Sequence, residues 1–186
     1  MLEMTKNGLV LWVTGLSDSG KTTLCRAANT LLEEKSIRCI MLDGDQLRKI
    51  FSDIKGYDIE SRKTLALRAA KLAQTLSAQG HIVVVGVIAL IEEIHDWNAN
   101  NQENFFLTLL NIPLAELTKR DSKGLYKNYS IGSVSSMYGL DLPADFPGQV
   151  DFEITMETLG TPAENADMML AAAARRYPET QLQHYL

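Results

Sequence analysis

The sequence predicts an α/β fold, a three-layer α/β/α sandwich with a parallel sheet of about five strands and a lid. Short, nearly continuous apolar runs alternate with helical patterns along the chain. This alternation is typical of a parallel sheet that helices cover on both faces. The predicted strands are 9–14, 37–43, 82–88, 105–110 and 152–156. The predicted helices are 21–35, 45–52, 59–79, 91–100, 113–120 and 162–176.

The loop after the first strand carries the most specific motif. Residues 15–22 read Gly-Leu-Ser-Asp-Ser-Gly-Lys-Thr, which is the G-x-x-x-x-G-K-[ST] phosphate-binding pattern between a strand and a helix. Its backbone N–H groups and the following helix N-terminus would bind phosphate, so a P-loop NTPase-type fold is predicted. We expect Lys21 to reach the β- and γ-phosphates of a nucleoside triphosphate and Thr22 to bind Mg²⁺. The predicted nucleotide-binding residues are Gly15, Leu16, Ser17, Asp18, Ser19, Gly20, Lys21, Thr22 and Thr23.

Asp18 places an unusual carboxylate in this loop, close to where a polyphosphate would lie. Two interpretations stay open at the level of sequence. The side chain either turns to solvent, or it weakens nucleotide binding by repelling the phosphates.

The second strand ends in a pair of carboxylates, Asp43 and Asp45, with Arg48 three residues further on. In an open parallel sheet this end of the strand lies on the ligand side, near the phosphate loop. We expect Asp43 to hold Mg²⁺-bound water. Asp43 or Asp45 would orient and deprotonate an attacking hydroxyl. The structural alternative is a helix N-cap. Arg48 and Arg62 are candidates for gripping an anionic acceptor.

The segment 121–150 interrupts the alternation, because it is rich in glycine, proline and serine. A long irregular stretch beside a phosphate loop favours a lid that closes over substrate. Arg120 and Lys123 begin it and could meet the transferring phosphate, with a solvated basic turn as the alternative. The tail after Tyr177 is expected to be loosely held. The predicted catalytic residues are Lys21, Asp43, Asp45, Arg120 and Lys123.

Composition restricts the class of protein. The 186 residues are enough for a single domain, 1–186, and the net charge of −5 argues against a general nucleic-acid binder. The apolar run near residue 9 is too short for a membrane span, and the phosphate loop follows it, so neither a signal peptide nor a membrane partner is expected. The two cysteines lack paired spacing, which favours a reducing, cytoplasmic location.

Taken together, the motifs resemble the adenylylsulfate kinase family over roughly residues 8–160. The matching pieces are Gly15 to Thr23, Leu42-Asp43-Gly44-Asp45 with Arg48, Arg62, and Lys123-Gly124-Leu125-Tyr126-Lys127. The resemblance implies a P-loop kinase that uses ATP and Mg²⁺ and phosphorylates the 3′-hydroxyl of adenosine 5′-phosphosulfate, a reaction of sulfate assimilation. It also implies a small-molecule nucleotide substrate and, commonly, a homodimer. In the family the position of Tyr57 holds an aromatic near the adenine.

The chain departs from the family in the implied acceptor pocket. The family's asparagine is Leu65, its Ile-Ser-Pro-aromatic-Arg is 88–92 (Ile-Ala-Leu-Ile-Glu), and its Lys-Asn-Phe is 135–137 (Ser-Ser-Met). The acceptor is therefore open: adenosine 5′-phosphosulfate, or a cytidine conjugate of the kind used in surface-polysaccharide modification. A non-catalytic ATP-binding homologue is a third reading. The implied substrate-binding residues are Asp45, Arg48, Tyr57, Arg62, Leu65, Ile88, Lys123 and Met137.

Overall fold

The computed structural model describes residues 7–186, so residues 1–6 of the predicted domain lie outside the described residues. Five parallel strands form one sheet, as the sequence predicted, and their order is β2-β3-β1-β4-β5. The strands are β1 Leu9–Gly15, β2 Cys39–Asp43, β3 Ile82–Gly86, β4 Phe105–Leu110 and β5 Phe152–Ile154.

Helices cover both faces of the sheet. They are α1 Lys21–Glu34, α2 Gly44–Ile50, α3 Ile59–Ser77, α4 Glu92–Asn101, α5 Leu114–Arg120, α6 Leu125–Ser130 and α7 Pro162–Arg176. Alternate residues of β1 enter opposite cores: Val10 and Trp12 pack with α3 on one face, Leu9 and Leu11 with α1 and α7 on the other. The predicted three-layer α/β/α sandwich is confirmed. Across residues 7–186, no helix combines the length and apolarity that crossing a membrane requires.

Three predicted strands are longer than those observed. The strand predicted over 37–43 begins at Cys39, that over 82–88 ends at Gly86, and that over 152–156 ends at Ile154. Beyond Gly86 the chain leaves the ladder, although Val87 N–H still donates to the Val13 carbonyl at 3.2 Å. An apolar run therefore continues past the strand because it is buried, not because it is paired.

The predicted lid contains a helix, α6, which sequence periodicity did not reveal. Gly124 precedes it in the left-handed conformation, at φ 66°. The Asp121 carboxylate accepts hydrogen bonds from the N–H groups of Tyr126 and Lys127, each at 2.9 Å. Six residues are too few to show a helical period, so this element depends on its capping.

The expectation of a loosely held tail after Tyr177 was wrong. Residues Gln181–Tyr185 form a 3-10 helix, which begins where the Thr180 hydroxyl accepts from the Leu182 N–H at 3.3 Å. Leu182 is fully buried, and the Tyr185 hydroxyl donates to Asp167 of α7 at 2.7 Å. The tail thus closes the core beneath α1 and α7.

Candidate active site

The phosphate-binding loop joins β1 to α1. Gly15 has φ 147° and Gly20 has φ 101°, both in the region that favours glycine. A Cβ on Gly15 would lie 2.7 Å from the Leu110 carbonyl oxygen, so a side chain is excluded there. Gly20 is the N-cap of α1 and supplies no side-chain cap to its first turn. The N–H groups of that turn are therefore suited to an anion.

Lys21 is buried and turns back into this loop. Its Nζ donates to the carbonyl oxygens of Gly15 at 3.0 Å and Leu16 at 2.6 Å. Burial, and after it the nearby charge of Lys123, lower the pKa of Lys21 to about 7. An anionic ligand beside this amine would favour its charged form, so a bound phosphate would raise the pKa of Lys21 again.

Thr22 and Asp43 connect the loop to the end of β2. The Thr22 hydroxyl donates to Asp43 Oδ2 at 2.7 Å. Asp43 Oδ1 accepts from the N–H groups of Asp45 at 3.0 Å and Gln46 at 3.2 Å and so caps α2. The sequence offered a helix N-cap and a site residue near the loop as alternatives. The Asp43 carboxylate both caps α2 and contacts the loop.

These oxygens suit Mg²⁺. Mg²⁺ binds hard oxygen ligands, and it typically takes one or two from the protein and the rest from phosphates and water. The Thr22 hydroxyl and the Asp43 carboxylate match that requirement. Within residues 7–186 no group of three or more His, Cys, Asp or Glu could by itself hold a metal ion. The residues present thus fit an ion that is shared with a nucleotide.

Asp45 meets Lys123 from the lid. Its Oδ2 lies 2.8 Å from Lys123 Nζ, and the two side chains are 72% and 56% exposed. The hydrogen bond from Lys123 holds the pKa of Asp45 below its usual value, and the same contact raises the pKa of Lys123. The strand end and the lid therefore converge beside the loop.

Arg120 is the last residue of α5, and its guanidinium contacts the Met156 sulfur at 3.9 Å. The chain turns at Asp121, where φ is 27°, between Arg120 and Lys123. The catalytic role that the sequence predicts for Arg120 stays a prediction.

The Asp18 side chain does not simply turn to solvent, which was one of the two interpretations that the sequence left open; its effect on nucleotide binding stays a prediction. Its carboxylate accepts from Ser122 N–H at 2.5 Å and from the Ser122 hydroxyl at 2.6 Å. The neighbouring Ser17 carbonyl accepts from the Tyr126 hydroxyl at 2.8 Å. No local pattern could have revealed these contacts, because more than a hundred residues separate the partners.

Two arginines organise the predicted acceptor side around Tyr57, which is 56% exposed. Arg48 donates to the Gly56 carbonyl at 2.6 Å, and its guanidinium lies 4.3 Å from the Tyr57 ring centre. Arg62 donates to the carbonyls of Tyr57 at 2.6 Å and Ser136 at 2.7 Å. The structure thus brings Arg48, Tyr57 and Arg62 together, and Arg62 joins them to the lid.

The positions that depart from the family pattern are largely buried. Leu65 is 7% exposed, Met137 3% and Ala89 0%, and all three belong to one hydrophobic cluster, while Ile88 packs against it half-buried. Sequence reasoning missed Tyr138, whose ring centre lies 5.0 Å from the Arg62 guanidinium. Its buried hydroxyl has no hydrogen-bond partner within residues 7–186.

A cavity of about 900 Å³ lies elsewhere, between α4 and the end of α7. Residues 145–151 close one side of it, and none of the predicted site residues lines it. The cavity is therefore separate from the residues that the sequence predicts to bind nucleotide and acceptor.

The fold and the phosphate-binding loop define the class of this protein, a P-loop kinase. A sequence profile described as adenylylsulphate kinase matches residues 7–155, and the chain belongs to this family. The family match supports a phosphotransferase of the nucleotide-conjugate type.

Three similar proteins illustrate the family's range. A cytidine diphosphoramidate kinase of Campylobacter jejuni is 33% identical over 92% of this chain and 99% of its own length. An adenylyl-sulfate kinase of Chloroflexus aurantiacus is 35% identical over 92% of this chain and 91% of its own. The Mycobacterium tuberculosis APS kinase CysC, solved with AMPPNP and APS, superposes with a TM-score of 0.83 at 29% identity. That match covers 89% of this chain and 97% of CysC.

Proposed function

We propose that this protein transfers the γ-phosphoryl group of ATP to a sugar hydroxyl of a nucleotide 5′-conjugate. One observation carries the proposal: the carboxylates at the end of β2 and the start of α2 contact the phosphate loop and the lid, Asp43 through Thr22 and Asp45 through Lys123. A donor site and a proton acceptor on adjoining elements are what phosphoryl transfer to a hydroxyl requires.

The donor side comprises the loop amides, Lys21 and Thr22. The loop N–H groups and the α1 N-terminus bind the phosphates, and Lys21 adds a point charge. Thr22 and Asp43 would hold Mg²⁺, which neutralises charge on the β- and γ-phosphate oxygens. Asp43 is committed to this end of the site, because its two oxygens already accept from Thr22 and from the first turn of α2.

We assign the role of general base to Asp45. Its carboxylate is exposed and ion-paired with Lys123, so it can accept the proton that the acceptor hydroxyl loses as its oxygen bonds to the γ-phosphorus and ADP leaves. Lys123 would bind the γ-phosphoryl group while it is transferred. Arg48 and Arg62 retain unused N–H donors for the acceptor's anionic conjugate beside Tyr57.

Two acceptors are proposed, each from a different observation. Adenosine 5′-phosphosulfate follows from the family and from the APS bound in the similar CysC structure. A cytidine conjugate is favoured by the buried, apolar Leu65, Ala89 and Met137 and by similarity to a cytidine diphosphoramidate kinase over 99% of that protein. Loss of an aromatic at position 137 removes base stacking of about 1–3 kcal/mol, which matters more for a purine.

The test is transfer from γ-labelled ATP with Mg²⁺ to a panel that includes adenosine 5′-phosphosulfate, cytidine diphosphoramidate and the corresponding unconjugated nucleotides. Phosphorylation of either conjugate supports the proposal and selects the acceptor. Tight ATP binding with no labelled product from any of these nucleotides would contradict the proposal and favour a non-catalytic ATP-binding protein.

The acceptor pocket can be tested by restoring the family residues with Leu65→Asn, Ser135→Lys and Met137→Phe. We expect the rate with adenosine 5′-phosphosulfate to rise about tenfold, because stacking and a cation return. Leu65→Asn alone serves as the control, since it places a polar group in a buried position without restoring either. No gain from the triple variant would mean that specificity lies elsewhere.

We further propose a single-domain, cytoplasmic homodimer. The family suggests the dimer, and the unpaired Cys25 and Cys39 suit a reducing compartment. Light scattering of the purified protein would measure the assembly, and a monomeric mass at micromolar concentration would contradict the dimer.

A further inference from the structure

The Asp18 carboxylate lies in the phosphate-binding loop, yet its hydrogen-bond partner is a lid residue. Oδ2 accepts from Ser122 N–H at 2.5 Å and Oδ1 accepts from the Ser122 hydroxyl at 2.6 Å. One residue earlier, the Ser17 carbonyl accepts from the Tyr126 hydroxyl at 2.8 Å. The loop therefore holds the start of the lid at two points.

The local backbone does not require this side chain. Asp18 has φ 61°, in the left-handed region that favours glycine and that aspartate tolerates better than most residues. The carboxylate does not cap α1 either, because the N-cap is Gly20 and both Asp18 oxygens accept from Ser122. Within residues 7–186, its hydrogen bonds go to Ser122 alone.

The chain on either side of Ser122 is fixed as well. Asp121 caps α6 through the N–H groups of Tyr126 and Lys127. Lys123 lies between Ser122, which Asp18 binds, and the capped start of α6. Its Nζ donates to Asp45 Oδ2 at 2.8 Å. The grip on Ser122 is thus one of the contacts that determine where Lys123 points.

We propose that Asp18 is a positioning residue: by binding Ser122 it ties the lid to the phosphate loop and sets Lys123 opposite Asp45. The role of Lys123 in transfer rests on the function proposed above. The tie itself is a property of the described contacts and can be measured without any acceptor.

The competing explanation is that Asp18 acts only through its charge, by repelling the polyphosphate. The two explanations predict opposite results for Asp18→Gly, a change that the left-handed backbone accommodates without strain. Loss of a tie slows transfer and loosens the lid, with little change in nucleotide affinity. Loss of a repulsive charge tightens nucleotide binding and leaves the lid unchanged.

The experiment compares tryptic cleavage after Lys123 in the full chain bound to AMPPNP, for the wild type, Asp18→Gly, Ser122→Ala and the double variant. We expect cleavage to accelerate about tenfold in Asp18→Gly, the scale of one lost charge-assisted hydrogen bond. The double variant should cleave no faster than Asp18→Gly, because both changes remove the same contact.

Glu164→Gln is the matched control. Glu164 Oε2 also accepts from the N–H and hydroxyl of one residue, Thr161, each at 2.8 Å, but at the start of α7. It should change neither cleavage after Lys123 nor transfer. Where an acceptor is phosphorylated, kcat should fall about tenfold in Asp18→Gly, while the KM for ATP changes less than about twofold.

Wild-type cleavage after Lys123 in Asp18→Gly, or tighter AMPPNP binding with no faster cleavage, would overturn the proposal. Additive effects of Asp18→Gly and Ser122→Ala would overturn it too. Absence of transfer by the wild type to every acceptor would contradict the proposed function, whereas the cleavage comparison would still decide whether Asp18 holds the lid.

Discussion

Replacing each of the two carboxylates by alanine separates their roles, because they differ in what they stabilise. Asp43 caps α2 through two N–H groups and accepts from the Thr22 hydroxyl. Loss of an N-cap carboxylate costs about 0.5–2 kcal/mol, and the lost side-chain hydrogen bond adds about 1 kcal/mol. Asp45 makes an exposed ion pair with Lys123, and such pairs contribute only about 0.2–1 kcal/mol.

Urea unfolding and phosphoryl transfer together give the assay. With an m-value of about 2 kcal/mol/M, Asp43→Ala should lower the urea midpoint by about 1 M, and Asp45→Ala by less than about 0.5 M. Transfer should nevertheless fall about 10²–10⁴-fold in Asp45→Ala, the range for loss of a general base. Asp43→Asn keeps the cap and serves as the control for stability. Full activity in Asp45→Ala would exclude Asp45 as the general base, and equal destabilisation by both alanine variants would exclude the capping role of Asp43.

Three further predictions concern the loop, the thiols and the tail. Lys21→Ala should lower transfer at least about a hundredfold with an unchanged circular dichroism spectrum, since it removes the amine that we propose binds the phosphates; retained activity would refute the donor-site assignment. Burial raises the pKa of Cys25 to about 12 and of Cys39 to about 11, so iodoacetamide at pH 8 should modify both far more slowly than a free thiol. Rapid labelling of the native protein would contradict this. Leu182→Ala should destabilise the protein by about 2–5 kcal/mol in urea unfolding, because the side chain is fully buried; an unchanged midpoint would mean that the tail is not packed.

The sheet, its flanking helices and the phosphate loop could all be predicted because each depends on short-range pattern. Apolar runs such as 105–110 predict strands, and the spacing from Gly15 to Thr22 specifies a loop whatever the rest of the chain does. The carboxylates at the end of β2 could be placed near the loop because parallel strands end on the same side of the sheet.

The contacts that assemble the site could not be predicted, because they join residues far apart in sequence. The Asp18–Ser122 pair spans 104 positions and the Asp45–Lys123 pair 78. The contact of Arg120 with Met156 could not be predicted for the same reason, because it spans 36 positions. The 3-10 helix around Leu182 is likewise specified by its burial against α7 and not by its own pattern.

The most direct test of the central claim is the distance from Asp45 to the acceptor in a crystal grown with AMPPNP, Mg²⁺ and the nucleotide conjugate that the panel selects. We expect an Asp45 carboxylate oxygen about 2.6–3.2 Å from the sugar hydroxyl that receives the phosphoryl group. We also expect Asp43 on the Thr22 side of the nucleotide. An acceptor hydroxyl out of reach of Asp45, or turned towards a different base, would show that Asp45 is not the general base.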